Sequence, residues 1–225
     1  MFFLIDRNTK IIFGWSAKCG CSHVKRIFWF LKTNNINNNI HTVYDKQKIP
    51  SDIKNYTTIV FSRNPYKRLV SGFLEKYYTN GRCRSLWKHD NITFSKFIDE
   101  LLKNNWKMID KHHFTPQTSE NFSKNNIIMS KCLKIFDIEN IDYDYIEKLY
   151  NKKIPEEILN HKEGHYRKYF NTDFTEYVYN LDMTIYYNNN IDVKYFYNED
   201  LKNKVYKFYK NDFIFFNENG IDYNI

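Results

Sequence analysis

The sequence is poor in cysteine, proline and glycine, and it has no long hydrophobic run. Its 225 residues include four cysteines, four prolines and six glycines. Cys19 and Cys21 are too close in sequence to favour a disulfide, so we expect a reducing compartment and no disulfide framework. No stretch approaches about eighteen consecutive apolar residues, and Asp6 and Arg7 end the apolar segment at residues 1–5. We therefore expect no signal peptide and no membrane anchor, and a cytoplasmic location, which would be the host cytoplasm for a viral or parasitic chain.

Internal repeats and linkers rich in Pro, Gly or Ser are also absent. A domain of this length buries roughly 70 % of the surface that its unfolded chain exposes. Hydrophobic residues make up 42 % of the chain and aromatic residues 19 %, which excludes a disordered segment. We predict one domain spanning residues 1–225.

Positive charge is in excess. Lys and Arg total 34 and Asp and Glu total 26, so the formal net charge is +8. The charges do not form the long like-charge blocks of a tail that wraps nucleic acid. An anionic partner is favoured, and nucleic acid is not the expected one.

Residues 10–15 predict a buried strand, because they form an apolar run too short for a helix. A loop of small residues follows, and from Ser22 the apolar side chains recur at helical spacing. These side chains are Val24, Ile27, Phe28 and Leu31. The pattern predicts a strand, a loop and a helix with Ser22 near its N-cap.

A second unit follows the same plan. Residues 57–61 are β-branched and apolar, Pro65 suits the first turn of a helix, and four apolar side chains line one face of that helix. They are Leu69, Val70, Phe73 and Tyr77. Two such units predict an α/β fold with a central parallel sheet flanked by helices.

A helical pattern also begins at Glu199. Its buried stripe predicts a C-terminal helix of about eighteen residues that packs on the sheet. The stripe consists of Leu201, Val205, Phe208, Asp212 and Phe213. A segment rich in hydrogen-bond donors, residues 160–168, is predicted to be a solvated loop.

The first loop has the composition of a phosphate-binding loop. Gly20 permits close backbone approach, and the start of the helix points several N–H groups at one spot where the helix dipole favours negative charge. Lys18 adds a mobile positive charge and Ser22 a hydroxyl. The alternative is an ordinary turn with a solvated lysine. The pattern G-x-x-x-x-G-K-[ST] is absent, which argues against an ordinary ATPase or nucleotide kinase.

A second phosphate site is suggested after the second strand. Arg63 ends that strand, and Ser71 follows eight residues later, a little over two helical turns on. Both could face the crevice at the carboxyl end of the sheet and hold a phosphate. The alternative for Arg63 is a surface ion pair.

Together these segments resemble the two nucleotide-binding motifs of the sulfotransferases, most closely those of the carbohydrate branch. The matching segments are Lys18-Cys19-Gly20-Cys21-Ser22, residues 61–73, His113-Phe114-Thr115-Pro116-Gln117, residues 136–139 and residues 195–213. The likeness runs along most of the chain and implies a P-loop-like sulfotransferase fold.

The resemblance implies a reaction and a set of nucleotide contacts. The donor is 3′-phosphoadenosine 5′-phosphosulfate (PAPS), the product is 3′-phosphoadenosine 5′-phosphate (PAP), and the acceptor is a hydroxyl, with a carbohydrate favoured. Lys18 would contact the bridging oxygen and the 5′-phosphate, and Arg63 and Ser71 the 3′-phosphate. The N–H groups of Gly20, Cys21, Ser22 and His23 would hold the remaining phosphate oxygens. Because His23 stands where many relatives carry an aromatic residue, adenine would pack on His23 or on another side chain.

The acceptor hydroxyl needs a base, and we predict His113, since the ordinary histidine pKa of roughly 6.5 suits proton transfer near neutral pH. His112 is the alternative base, and His113 could instead pack beside Pro116 or contact the acceptor. No metal is expected, because Cys19 and Cys21 lack the partners of a zinc site. Two other functions stay open for the same fold. They are a P-loop-like kinase that binds ATP and a non-enzymatic protein that binds polyanions in a salt-sensitive way.

Overall fold

The computed structural model describes residues 1–37, 39–40, 48–77, 83–87, 92–118, 127–161, 176–182 and 191–225. The chain forms two compact units. Unit 1 comprises residues 1–63 and 117–164, and unit 2 comprises residues 64–116 and 165–225. That they make up one domain across residues 1–225 stays a prediction.

The described elements are numbered here in chain order. The strands are β1 (Phe2–Asp6), β2 (Ile11–Trp15), β3 (Thr57–Ser62) and β4 (Cys132–Asp137). The α-helices are α1 (Cys21–Thr33), α2 (Pro65–Lys76), α3 (Phe94–Leu102), α4 (Lys111–Phe114), α5 (Tyr143–Tyr150), α6 (Glu156–Leu159), α7 (Glu199–Phe208) and α8 (Lys210–Glu218). Short 3-10 helices span Ile53–Asn55, Arg84–Trp87, Ile127–Met129 and Val193–Phe196.

Unit 1 is built on a four-stranded sheet in the order β1-β2-β3-β4. β2 and β3 are parallel, with Phe13 opposite Ile59, and β3 and β4 are also parallel. The predicted parallel sheet flanked by helices is therefore confirmed for three strands. β1 was not predicted, and it pairs antiparallel with β2 because a turn at residues 7–10, with Lys10 at a φ of 59°, reverses the chain.

The core of unit 1 is formed by the sheet, α1, α5 and α6. Alternate side chains of β2 and β3 pack with one face of α1, as the period of two along a strand requires. The strand residues are Ile11, Phe13, Trp15, Ile59 and Phe61, and the helix residues are Val24, Ile27, Phe28 and Leu31. All four predicted helix positions are buried, so the periodicity argument for α1 is confirmed.

Unit 2 has a helical core. The predicted face of α2 is buried there, and Pro65 is the first helical residue, as predicted. Side chains of α3, α4 and α7 complete the core, including Phe94, Phe97 and Phe114.

The C-terminal helix is interrupted. α7 ends at Phe208 and α8 begins at Lys210, and Tyr209 between them is buried with its hydroxyl donating to the carbonyl of Phe114 at 2.7 Å. Phe208 is only half-buried, so Tyr209 takes its place in the predicted stripe. The prediction that this segment packs on the sheet is wrong for its buried side chains, which belong to the helical core of unit 2.

The donor-rich segment predicted to be a loop lies largely outside the described residues, which include only Asn160 and His161 of it. Of the helices that the structure describes, none is both long and apolar enough to cross a membrane.

Gly72 in α2 permits close packing of the Phe114 ring. A Cβ at Gly72 would lie 2.6 Å from Phe114 Cε1 and 2.9 Å from Cζ. Since Phe114 is fully buried, its ring has little room to move. The position therefore excludes any side chain.

We expect Gly72→Ala to lower the free energy of unfolding by about 1–3 kcal/mol, because overpacking outweighs the gain of about 1 kcal/mol in helix propensity. Urea unfolding followed by circular dichroism measures the change. In a Phe114→Leu background the same substitution should cost clearly less, because the ring that it meets is gone. A Gly72→Ala protein more stable than the parent would contradict this packing.

Candidate functional site

The loop after β2 has an unusual backbone. Its turn is closed by the Cys19 N–H, which donates to the Ser16 carbonyl at 3.1 Å. Lys18 and Gly20 both have left-handed dihedrals, with φ of 67° and 60°. A left-handed lysine costs roughly 1–2 kcal/mol, so the surrounding contacts must hold this conformation in place.

The loop leads into an open helix N-terminus. Gly20 is the N-cap and Ser22 is the second helical residue, so Ser22 lies near the N-cap as predicted. No side chain caps the helix, and its first turn has no acidic residue. Because the first N–H groups of an α-helix point out of its end, Cys21 and Ser22 contribute positive potential at this end of α1.

Glycine at position 20 is required by conformation and not by space. A Cβ there would meet only ordinary contacts with Ile138, the nearest at 3.6 Å. The positive φ is the constraint, because glycine adopts it without steric cost. The role that the sequence predicted for Gly20, close approach of the backbone to a phosphate, stays a prediction.

The side chain of Gln117 joins the loop to the end of β3. Gln117 is fully buried, and its Oε1 accepts from Cys19 Sγ at 3.0 Å and from the Arg63 N–H at 3.0 Å. Its Nε2 donates to the Arg63 carbonyl at 2.8 Å. One amide thus fixes both Cys19 and the backbone of Arg63. The sequence predicts Gln117 only as the last residue of the motif at residues 113–117, and this role was not predicted.

Arg63 is directed towards the loop. Its Nη1 donates to the Lys18 carbonyl at 3.1 Å. Arg63 Nε and Ser16 Oγ are both buried without a hydrogen-bond partner among the described residues. Trp15 Nε1 and the Tyr150 hydroxyl are buried in the same way, so four such atoms occur among the described residues of unit 1.

His23 and Lys25 on α1 make contacts that the sequence did not show. His23 Nε2 lies 2.9 Å from the Tyr143 hydroxyl, and the two rings meet edge to face at 6.0 Å. Lys25 is buried, with Nζ 4.4 Å from the centre of the Trp15 ring, and burial lowers the pKa of its ammonium. Lys25 lies beside the apolar stripe of α1, and its burial was not predicted.

The other predicted residues belong to unit 2. Ser71 is half-buried in α2, and His112 and His113 lie in α4. Arg63 and Ser71 belong to different units, so their joint phosphate site stays a prediction.

His113 has a carboxylate partner in unit 2. Its Nδ1 lies 2.5 Å from Oδ2 of Asp110, and this hydrogen bond lowers the pKa of the Asp110 carboxyl to about 2. His112 is exposed as a residue, yet partial desolvation of its ring lowers its pKa. Asp110 was missed, although an aspartate at a helix N-cap before two histidines was visible in the sequence.

Neither a disulfide nor a metal cluster is found in the described part of the chain. No disulfide joins the four cysteines. No group of three or more His, Cys, Asp or Glu side chains among the described residues is placed to hold a metal ion.

We expect Gln117→Ala to destabilise the protein by about 2–4 kcal/mol, because it leaves buried polar groups of Cys19 and Arg63 unsatisfied and opens a cavity. Denaturant unfolding measures the loss. Asn35→Ala, which removes an exposed amide from unit 1, is the matched control and should stay within about 0.5 kcal/mol of the parent. Equal stability of the two variants would show that the Gln117 amide does not hold the loop.

The comparison with known proteins agrees with the motif resemblance. The profile that describes the sulfotransferase family matches residues 1–218. No curated protein and no solved structure gave a significant match. The profile match covers nearly all of the 225 residues and includes described parts of both units. The chain therefore belongs to the sulfotransferase family.

Proposed function

We propose that this protein transfers a sulfuryl group from PAPS to an acceptor hydroxyl, and that the acceptor is a carbohydrate. The observation that carries the proposal is the loop between β2 and α1, whose uncapped helix N-terminus lies in the same unit as the buried, unpartnered Arg63 Nε and Ser16 Oγ. The groups that lack partners there are N–H and O–H donors. They suit an anionic ligand, as the phosphates of PAPS require.

The residues of unit 1 have separate parts in this proposal. The N–H groups of Gly20, Cys21, Ser22 and His23 hold the 5′-phosphate, and Lys18 neutralises the charge that builds up on the departing phosphate oxygen. Arg63 contacts the 3′-phosphate, and its guanidinium is held in place by the Lys18 carbonyl. Ser16, which was not predicted, adds a hydroxyl donor.

The contact between His23 and Tyr143 bears on adenine packing. Burial raises the pKa of the Tyr143 hydroxyl, so it stays protonated and can donate to His23. The half-buried Tyr143 ring is an aromatic surface next to the loop residue His23. We assign adenine packing to the His23–Tyr143 pair, which replaces the single aromatic residue of many relatives.

The protein's chemical contribution is positioning and proton transfer. PAPS supplies the sulfuryl group. As the acceptor oxygen forms its bond to sulfur, the bond from sulfur to the phosphate oxygen breaks, and PAP leaves with the electron pair. His113 takes the acceptor proton, and Ser71 is assigned to the 3′-phosphate by resemblance. The carbohydrate acceptor rests on resemblance to the carbohydrate branch and on the net charge of +8, which suits an acidic glycan.

Calorimetric titration of the full chain with PAP, AMP and ATP tests the donor site. We expect PAP to bind in the micromolar range, with AMP and ATP at least tenfold weaker (about 1.4 kcal/mol). Arg63→Ala should lose the preference for PAP, because it removes the guanidinium that contacts the 3′-phosphate. Arg7→Ala is the matched control, because it also removes one arginine from unit 1. Arg7 follows β1, and its neighbour Asp6 lies opposite Ile11 at the start of β2, whereas the loop follows the end of β2.

Two other binding results would favour a different function. Equal binding of ATP and PAP would favour the kinase. Salt-sensitive binding of heparin without preference for a 3′-phosphate would favour the polyanion-binding protein. An unchanged preference in Arg63→Ala would refute the role of Arg63.

Transfer of labelled sulfuryl from PAPS to a chemically desulfated glycosaminoglycan tests the base. We expect His113→Ala to lower kcat by about 10²–10⁴-fold, because the acceptor proton loses its base. His112→Ala should retain most of the activity, and both variants should bind PAP like the parent. If His112→Ala lost activity and His113→Ala retained it, His112 would be the base.

A further inference from the structure

The carboxylate of Asp110 faces one ring nitrogen of His113. Oδ2 accepts from Nδ1 at 2.5 Å and also from the thiol of Cys83 at 3.7 Å. Oδ1 is occupied separately, because it accepts from the backbone N–H of His112 at 3.0 Å and so caps α4. The two oxygens therefore accept hydrogen bonds from different groups, and these bonds fix the orientation of the carboxylate.

The backbone on either side of the pair is also fixed. Arg68 is buried, and its guanidinium donates to the carbonyls of His113 and Thr115, each at 2.9 Å. Tyr209 donates to the carbonyl of Phe114 at 2.7 Å. Three successive carbonyls are thus held by side chains from α2 and from the break between α7 and α8, so the backbone of His113 is held in place.

Asp110 is anchored from the opposite side as well. Its N–H donates to the hydroxyl of Tyr77 at 3.0 Å, and that hydroxyl donates to the carbonyl of Met108 at 3.2 Å. Burial raises the pKa of Tyr77, so the hydroxyl keeps the proton that it donates. Both partners of the contact between Asp110 and His113 are therefore preorganised before any substrate binds.

We propose that Asp110 is a positioning residue that holds neutral His113 in the Nδ1–H tautomer and so presents Nε2 as the nitrogen that accepts the acceptor proton. An ionised carboxylate has no hydrogen to donate, so it can pair with Nδ1 only when Nδ1 carries the proton. In a neutral imidazole the other nitrogen then has the free lone pair. The tautomer assignment stands by itself, and its catalytic consequence rests on the proposed sulfuryl transfer.

Asp110→Asn is the informative variant. Asparagine also caps helices well, so Oδ1 keeps its bond to the His112 N–H and the fold is retained. The NH₂ group then faces Nδ1 and donates to it, which forces the proton to Nε2. Nitrogen-15 NMR of the full chain reports the tautomer, with the His113 signal assigned by its loss in His113→Gln. We expect Nδ1–H in the parent and Nε2–H in Asp110→Asn.

Kinetics provide the second readout. We expect Asp110→Asn to lower kcat at least 100-fold, with KM changed less than about threefold, because a protonated Nε2 cannot accept the proton. Asp110→Ser keeps a capping oxygen but is too short to reach Nδ1, so it should lose less activity than Asp110→Asn. A purely structural role predicts the opposite order, since asparagine has nearly the shape of aspartate.

The matched control is Asp192→Asn. Asp192 caps the 3-10 helix at Val193–Phe196 in the same unit, and its Oδ1 accepts from the Lys194 N–H at 3.1 Å. It should change neither kcat nor the His113 tautomer. Nε2–H in the parent, or an unchanged tautomer in a folded Asp110→Asn protein, would overturn the proposal. If the parent transfers no sulfuryl group, the proposed function fails, while the NMR measurement still decides whether Asp110 sets the tautomer.

Discussion

The geometry of unit 1 depends on one buried amide. Gln117 supplies an acceptor to Cys19 and to the Arg63 N–H, and a donor to the Arg63 carbonyl. These three bonds hold the end of β3 against the loop after β2, where the left-handed Lys18 would otherwise relax. In a low-dielectric interior such a network is strong when complete and costly when any member is removed. The position of the Arg63 guanidinium, held by Lys18, is a consequence of the same amide.

The segment that contains Gln117 serves both units. Asp110, His113 and Phe114 belong to unit 2, and Gln117, three residues after Phe114, belongs to unit 1. In unit 2 the carbonyls of residues 113–115 are satisfied by Arg68 and Tyr209. Only Pro116 separates these carbonyls from Gln117, so a short stretch of chain contributes contacts to each unit.

The elements formed by local patterns were predictable. The apolar runs at β2 and β3 and the helical spacing in α1 and α2 each follow from a few neighbouring residues, and the structure confirms them. β1 was missed because residues 1–5 were examined only as a possible signal peptide. The break at Tyr209 was missed because nothing local requires it, and the hydroxyl bonds to Phe114, 95 residues away in sequence. Local propensity does not contain such a contact.

Part of the candidate site was likewise predictable from the local sequence, and part of it was not. Lys18, Gly20 and Arg63 could be named from their places after strands, because backbone geometry puts such residues at the end of a parallel sheet. The partners that orient them could not be named. Cys19 and Gln117 are 98 residues apart in sequence, and His23 and Tyr143 are 120 apart. Only tertiary packing brings these pairs together.

Charge and hydrogen bonding differ between the two units. In unit 1 the groups without partners among the described residues include the donors Arg63 Nε and Ser16 Oγ, and α1 begins without a cap or an acidic residue. These features give positive potential at the start of α1. In unit 2 the carbonyls around His113 are occupied, and an ionised Asp110 accepts from Nδ1. Donors are thus left open in unit 1, while in unit 2 the surrounding acceptors are satisfied and the imidazole keeps the lone pair of Nε2. Under the proposed function, unit 1 would stabilise the departing anion and His113 of unit 2 would remove the acceptor proton, each with the hydrogen-bonding partners of its own unit.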